Sequence, residues 1–204
     1  MKNPFSRRID YTALDEGQLV ALAKEDKAAF GELYERYLPK IYSYVYYRTG
    51  NVHDAEDLTA KVFFRALSHI SNYVEKGVPF QAWLYRIAHN LVANWHRDQG
   101  RRKIIALDEY VAYPLKTEAP DRLAEEQEER TQLLEAVRGL PEDRQQLLLL
   151  KFVDQMSNAE IGAIMGRTEG AIKSLYHRTL LALREEMVAI QDGDRKQWTD
   201  GKEG

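Results

Sequence analysis

The chain has 204 residues, 44% of them hydrophobic, and a formal net charge of −3. That length buries one large core or two small ones, and the slight acidity excludes a chain-wide basic sheath around nucleic acid, confining any DNA contact to local patches. There is no cysteine, which removes disulfides and thiolate chemistry and agrees with a reducing cytoplasm; no apolar run suits membrane insertion, and MKNPFSRRIDY lacks the apolar segment of a secretory leader.

After an N-terminal tail, 1–14, Asp15 followed three places later by Gln18 opens a helix carrying Leu19, Val20, Leu22 and Ala23. Asp26 starts the next, with an apolar face of Phe30, Leu33, Tyr34 and Tyr37. Pro39 is expected to break that helix, and Ile41, Tyr44, Val45 and Arg48 carry the stripe into a third segment ended by Gly50 and Asn51. Tyr34, Tyr37, Tyr42, Tyr44, Tyr46 and Tyr47 follow helical spacing with few basic residues between them, which favours packing over a base-stacking platform. Residues 54–68, DAEDLTAKVFFRALS, form a helix with an acidic first turn, as the helix dipole prefers. Leu58, Val62, Phe63 and Ala66 make its inner side.

Ser71, Asn72, Gly77 and Pro79 mark a loop. Residues 83–97 then fit a helix with an apolar stripe of Leu84, Ile87, Ala88, Leu91, Val92 and Trp95. Its opposite face shows Arg86, His89, Asn90, Asn94 and Arg97, with Arg101, Arg102 and Lys103 just beyond, a mixture able to touch phosphates and bases. The helical pattern lapses over 101–124, which contains Pro114 and Pro120 and reads as a linker. Glu125, Glu126, Glu128 and Glu129 begin a helix with Leu133, Leu134 and Val137 inside, and the glutamates read as a solvated face rather than a metal site. After a break at 139–141, residues 142–156 form an apolar helix around Leu147, Leu148, Leu150 and Phe152.

The stretch SNAEIGAIMGRTEGAIKSLYHRTLLAL, 157–183, carries the sharpest local signal. Ser157 and Glu160 make a capping box, Ile161, Ile164 and Met165 one apolar face, and Gly166 a left-handed helix stop. Thr168 caps a second helix with Ile172, Leu175, Tyr176, Thr179, Leu180 and Leu183 on one side and Lys173, Ser174, His177 and Arg178 on another. Two short amphipathic helices around a glycine turn are a helix-turn-helix pattern, and the outward face suits a major groove. The tail, 189–204, is polar and expected to be disordered. The expected fold is thus all-α, two small helical domains at 15–100 and 125–188 joined by a flexible linker.

The motifs DAEDLTAKVFFRAL, FQAWLYRIAHNLVANWHRD, LPEDRQQLLLLKFVDQMSNAEIGAIMG and EGAIKSLYHR, in this order and spacing, resemble the extracytoplasmic-function (ECF) sigma factors of bacterial RNA polymerase. The resemblance implies that the first domain is sigma region two, docking on the clamp helices of the largest polymerase subunit through Asp54, Asp57, Thr59, Lys61, Val62, Phe63 and Arg65. The same domain would open the minus-ten element, with Ser71, Asn72 and Tyr73 at a flipped base and Arg86, Asn90, Asn94, Arg97, Arg101 and Arg102 along the strand or duplex. Region four would read the minus-35 element through Arg167, Thr168, Glu169, Lys173, Ser174, His177 and Arg178 while resting on the flap of the second-largest subunit. An anti-sigma factor is a further implied partner, and the place of action is the cytoplasm, with no cofactor and no metal. Ala60 and Lys61 stand where the family usually has Gln-Glu, and Asn94 stands where Asp is common.

The five histidines are scattered without metal-site spacing, and neither a nucleophile elbow nor a phosphate-cradling glycine loop is present, so an enzyme is not expected. The alternative reading is a stand-alone helix-turn-helix regulator that binds operators as a dimer.

Overall fold

The computed structural model describes residues 9–75, 77–99 and 120–200. Among these it has no strand and eight α-helices: α1 (Glu16–Ala23), α2 (Lys27–Thr49), α3 (Val52–His69), α4 (Phe80–Gln99), α5 (Pro120–Gly139), α6 (Glu142–Leu148), α7 (Asn158–Met165) and α8 (Glu169–Asp200). Most of the linker expected at 101–124, together with Arg101 and Arg102, lies outside the described residues.

Helix boundaries follow local capping chemistry. The Asp15 carboxylate accepts from the Gln18 N–H while the Gln18 side chain accepts from the Asp15 N–H, so two otherwise unpaired donors are satisfied reciprocally. Asp26 caps α2 and Asn51 caps α3, and Gly50, at φ 63°, ends α2 in the left-handed conformation. Pro39 does not break α2. It sits on the exposed side of a continuous 23-residue helix, and the buried Leu33, Tyr37, Ile41, Tyr44 and Val45 anchor the chain on both sides.

The first module packs α1 and α3 on α2, with α4 across α2 and α3. Its core is aromatic at one end: Phe80 lies 5.9 Å from Tyr37, 5.5 Å from Tyr73 and 5.3 Å from Trp83, ring centre to ring centre. The second module packs α5, α6 and α7 against α8 around Leu147, Leu150, Ile161, Ile164 and Ile172. The buried Gln145 amide ties α6 to the end of α5 by donating to the carbonyls of Arg138 and Leu140.

Three expectations in this half are corrected. Helix α5 begins at Pro120 rather than at 125, and Leu133 lies on its exposed side at 38%. The apolar helix expected over 142–156 is regular only to Leu148, after which Leu149–Val153 form a π turn that leaves Phe152 55% exposed. The backbone of α8 is helical through Asp200, past the expected end of the module at 188 and into the expected disordered tail.

Candidate nucleic-acid and polymerase interfaces

Both hydrogen bonds of the Ser157–Glu160 capping box form, and Gly166 adopts φ 67°, so α7 begins and ends where its residues dictate. Thr168 Oγ1 accepts from the Ala171 N–H and caps α8. Ile172, Leu175 and Thr179 turn inward, while Lys173, Ser174, His177 and Arg178 are all exposed. Leu180 departs from the expected inner face and is 40% exposed. The cations are held in place by light contacts: the Lys173 ammonium is 2.8 Å from Glu169, Arg178 Nε donates to the Ser174 carbonyl, and Arg167 donates to Asp143 at 3.0 Å. Such surface pairs are worth about 0–1 kcal/mol, so DNA can displace them. Arg167, Thr168 and Glu169 stand exposed at the same helix end.

In the first module, a 3-10 turn over Ile70–Asn72 leaves Ser71 and Asn72 exposed and turns Tyr73 inward, to 8% exposure. Tyr73 therefore serves as a wall rather than a projecting contact, its ring 5.0 Å from that of Trp83. Beside it lies a cavity of about 330 Å³ lined by Asn72, Tyr73, Val74, Val78, Ala82, Trp83, Arg86 and, from the second module, Ala163. Aromatic walls with an amide and a guanidinium at the rim are the chemistry an unpaired base requires. Farther along α4, Asn90 and Arg97 are exposed and Asn94 is half-buried.

Helix α3 separates the two readings of its residues. Asp57, Lys61 and Arg65 are exposed, and Lys61 reaches Asp57 at 2.5 Å across one turn. Asp54 accepts from the Trp95 indole N–H at 3.3 Å, pinning α3 to α4. Thr59, Val62 and Phe63 are buried, as their period predicts, and so support the helix instead of forming its outer surface. The apolar side chain that projects is Phe64, 72% exposed, which the sequence reading missed. Its signal was present, since 57, 61, 64 and 68 share one face at four-, three- and four-residue steps.

No sequence signal marked the contact between the modules. Helix α4 packs on α7, and the fully buried Tyr85 donates its hydroxyl to Asp154 at 2.6 Å. The Gln146 amide lies between the Tyr44 hydroxyl, at 3.1 Å, and His89 Nδ1, at 2.7 Å. Arg48, 1% exposed, donates to Glu142 at 2.5 Å. Burial pushes the Asp154 carboxyl up to about 6, against the opposing pull of the Tyr85 hydrogen bond and the charge of Lys40, with Tyr44 nearby. A carboxyl whose value is raised by packing stabilises the packed state when protonated. The contact is thus expected to strengthen as pH falls from 7 through 6 toward the unperturbed carboxylate range and to weaken as pH rises through 6. A melting temperature measured between pH 5 and 7.5 checks this, and Asp154→Asn should flatten the profile.

The sequence model "Sigma-70 region 2" matches residues 33–102, and "Sigma-70, region 4" matches 130–183. The chain is 38% identical over 167 residues to the ECF RNA polymerase sigma factor BldN of Streptomyces coelicolor, covering 81% of this chain and 63% of that protein. It is 33% identical over 176 residues to the ECF RNA polymerase sigma factor SigE of Mycolicibacterium smegmatis, covering 84% of this chain and 68% of that one. The chain belongs to the ECF sigma factors. A solved structure of CnrH in complex with the cytosolic domain of CnrY shares the fold, with a TM-score of 0.59 at 21% identity over 88% of this chain and 98% of that one. In this sigma chain the first matched span covers α2 to α4 with the Asn72 loop, and the second runs from α5 to the exposed cationic face of α8. No described helix is long and apolar enough to cross a membrane.

Proposed function

We propose that this chain is a promoter-specificity subunit of bacterial RNA polymerase, acting in the cytoplasm and performing no chemistry of its own. The exposed face of α3 docks on the clamp helices of the largest subunit, the Asn72 cavity and the outward face of α4 take the opened minus-ten element, and α8 reads the minus-35 element while its domain rests on the flap. The supporting observation is the pairing in one chain of two different DNA-facing surfaces: a base-sized aromatic cavity rimmed by Asn72 and Arg86, and a cationic helix-turn-helix face. A duplex reader alone needs only the second. An anti-sigma factor is part of the same proposal.

The test is transcription from genomic DNA by purified core polymerase with and without the protein. Starts that appear only with the protein and share two upstream elements support the proposal. Specific binding by the protein alone to a symmetric site, with no new starts, would instead favour the stand-alone regulator.

Two substitution results follow. Lys173→Ala and Arg178→Ala are each expected to weaken promoter binding by about 1–3 kcal/mol where the side chain reads a base; unchanged selectivity in both would remove α8 from recognition. Lys61→Glu places a second carboxylate beside Asp57 and removes their ion pair. It is expected to change affinity for core polymerase, measured by competition with another sigma factor, while the preferred promoter sequence stays the same.

A further inference from the structure

The first turn of α4 is capped from another helix. The residue before it is Pro79, which has no side-chain oxygen to offer, so the Phe80 N–H finds its acceptor 64 positions away, in Glu16 Oε1 at 3.3 Å. The other oxygen of that carboxylate accepts from the Tyr37 hydroxyl. Glu16 is itself the first residue of α1, so the positive ends of two helices converge on one carboxylate. A single half-buried side chain thus ties α1, α2 and α4 together.

Phe80 links this tie to the Asn72 cavity. Its ring meets Tyr73 edge-on at 5.5 Å and lies 5.3 Å from Trp83, and both of those rings are walls of the cavity. The Tyr73 hydroxyl reaches the Val78 carbonyl only at 3.4 Å, beyond the usual range for such a bond. Tyr73 also borders a second cavity, of about 290 Å³, which it shares with Glu16, Val20, Glu75 and Phe80. With open space against it in two cavities, the Tyr73 ring depends on Phe80 and Trp83 for its position, and Phe80 depends on Glu16. Burial pushes the Glu16 carboxyl up, the Phe80 N–H pulls it down, and Glu75 and Glu160 oppose Lys40 around it. The position thus penalises a charge and requires an acceptor, which a neutral amide also supplies.

We propose that Glu16 is a positioning residue for the minus-ten cavity: by accepting from Phe80 and Tyr37 it fixes the start of α4, and through Phe80 it holds Tyr73 and Trp83 where they receive an unpaired base. This inference rests on the promoter reading above. It adds to that reading a residue of α1 that does not itself line the Asn72 cavity.

The test compares Glu16→Ala with Glu16→Gln in the full chain. The Gln amide oxygen accepts from Phe80 while its NH2 donates to the Tyr37 hydroxyl, whereas Ala makes neither bond. Hydrogen exchange at the Phe80 amide of the free chain reads the cap, and thermal unfolding sets a temperature at which parent and both variants are folded. At that temperature, with saturating core polymerase and a promoter identified by the transcription test above, permanganate reactivity reads melting. Polymerase affinity and minus-35 duplex binding are measured beside it. In the Ala variant, exchange is expected to rise and the melted fraction to fall by about fivefold, the factor that loss of one helix cap corresponds to. Its polymerase affinity and duplex binding are expected to match the parent, and Gln is expected to restore exchange and melting together. Four results each overturn the positioning role: parent-like melting in the Ala variant, melting lost without faster exchange, melting lost equally in both variants, or melting lost in step with polymerase and duplex binding. In all four the parent still melts the promoter, so the promoter reading stands. A parent that gives no polymerase-dependent melting overturns that reading and the positioning role with it.

Discussion

Replacing Phe80 with alanine is expected to destabilise the first module by about 3–5 kcal/mol, the range for removing a buried aromatic ring. Phe80 is 2% exposed and meets Tyr37, Tyr73 and Trp83 through ring contacts, so its loss leaves a void against three aromatics that cannot all move to fill it. The backbone N–H at this position donates to Glu16 at 3.3 Å, and Tyr37 also donates to that carboxylate. The substitution keeps the first of these bonds, so the loss reports packing. Under the proposed function it has a second consequence, because Tyr73 and Trp83 are the walls of the Asn72 cavity. Urea unfolding followed by tryptophan fluorescence measures the stability change, and permanganate footprinting of an opened promoter measures melting. Melting should fail under conditions where the variant is still mostly folded, while duplex binding through α8 persists. A stability loss below about 1 kcal/mol would contradict the packing described.

The second large effect is expected at Gly162, in the middle of α7. A β-carbon there would stand 2.6 Å from the backbone carbonyl oxygen of Arg167, closer than real contacts allow. The obstacle is backbone in the turn of the helix-turn-helix, and the Arg167 N–H also bonds to the Gly162 carbonyl at 2.9 Å. Relief requires α7 and α8 to spread. Gly162→Ala is therefore expected to destabilise the second module by about 1–3 kcal/mol, even though alanine is intrinsically the better helix former by about 1 kcal/mol. Gly31, within α2, is the control: nothing lies within 4 Å of its virtual β-carbon, so Gly31→Ala should be neutral or stabilising by up to about 1 kcal/mol. Thermal unfolding of the two variants should move in opposite directions. Under the proposed function, binding to minus-35 duplex DNA should fall only for Gly162→Ala, since only there does α8 lose its angle to α7.

Much of this architecture was legible in the residues. The capping boxes at Asp15 and Ser157, the left-handed glycines at 50 and 166, and the inward stripes of α3, α4 and α7 depend on groups within one or two helical turns of each other, so a local reading recovers them. The cationic face of α8 was legible for the same reason, because Lys173, Ser174, His177 and Arg178 share a side whatever the rest of the chain does. On α3, periodicity placed Val62 and Phe63 inside while the family resemblance named them among the polymerase contacts; the structure buries both and projects the ring of Phe64.

What the sequence alone determined, then, was the set of helices, their inner faces, the helix-turn-helix and the family. Tertiary structure decided how far each helix runs and what covers each face. Pro39 stays within α2 because buried residues anchor the helix on both sides of it and the proline itself is exposed, a balance that no local rule contains. Leu133 and Phe152 were expected inside and lie outside because the packing of α5 and the π turn after α6 rotate them away from the core. Tyr85, Gln146, Asp154 and Arg48 carry no motif. Their partners lie 69, 102 and 57, 69, and 94 positions away, and only the docking of one module on the other brings those groups within hydrogen-bonding distance.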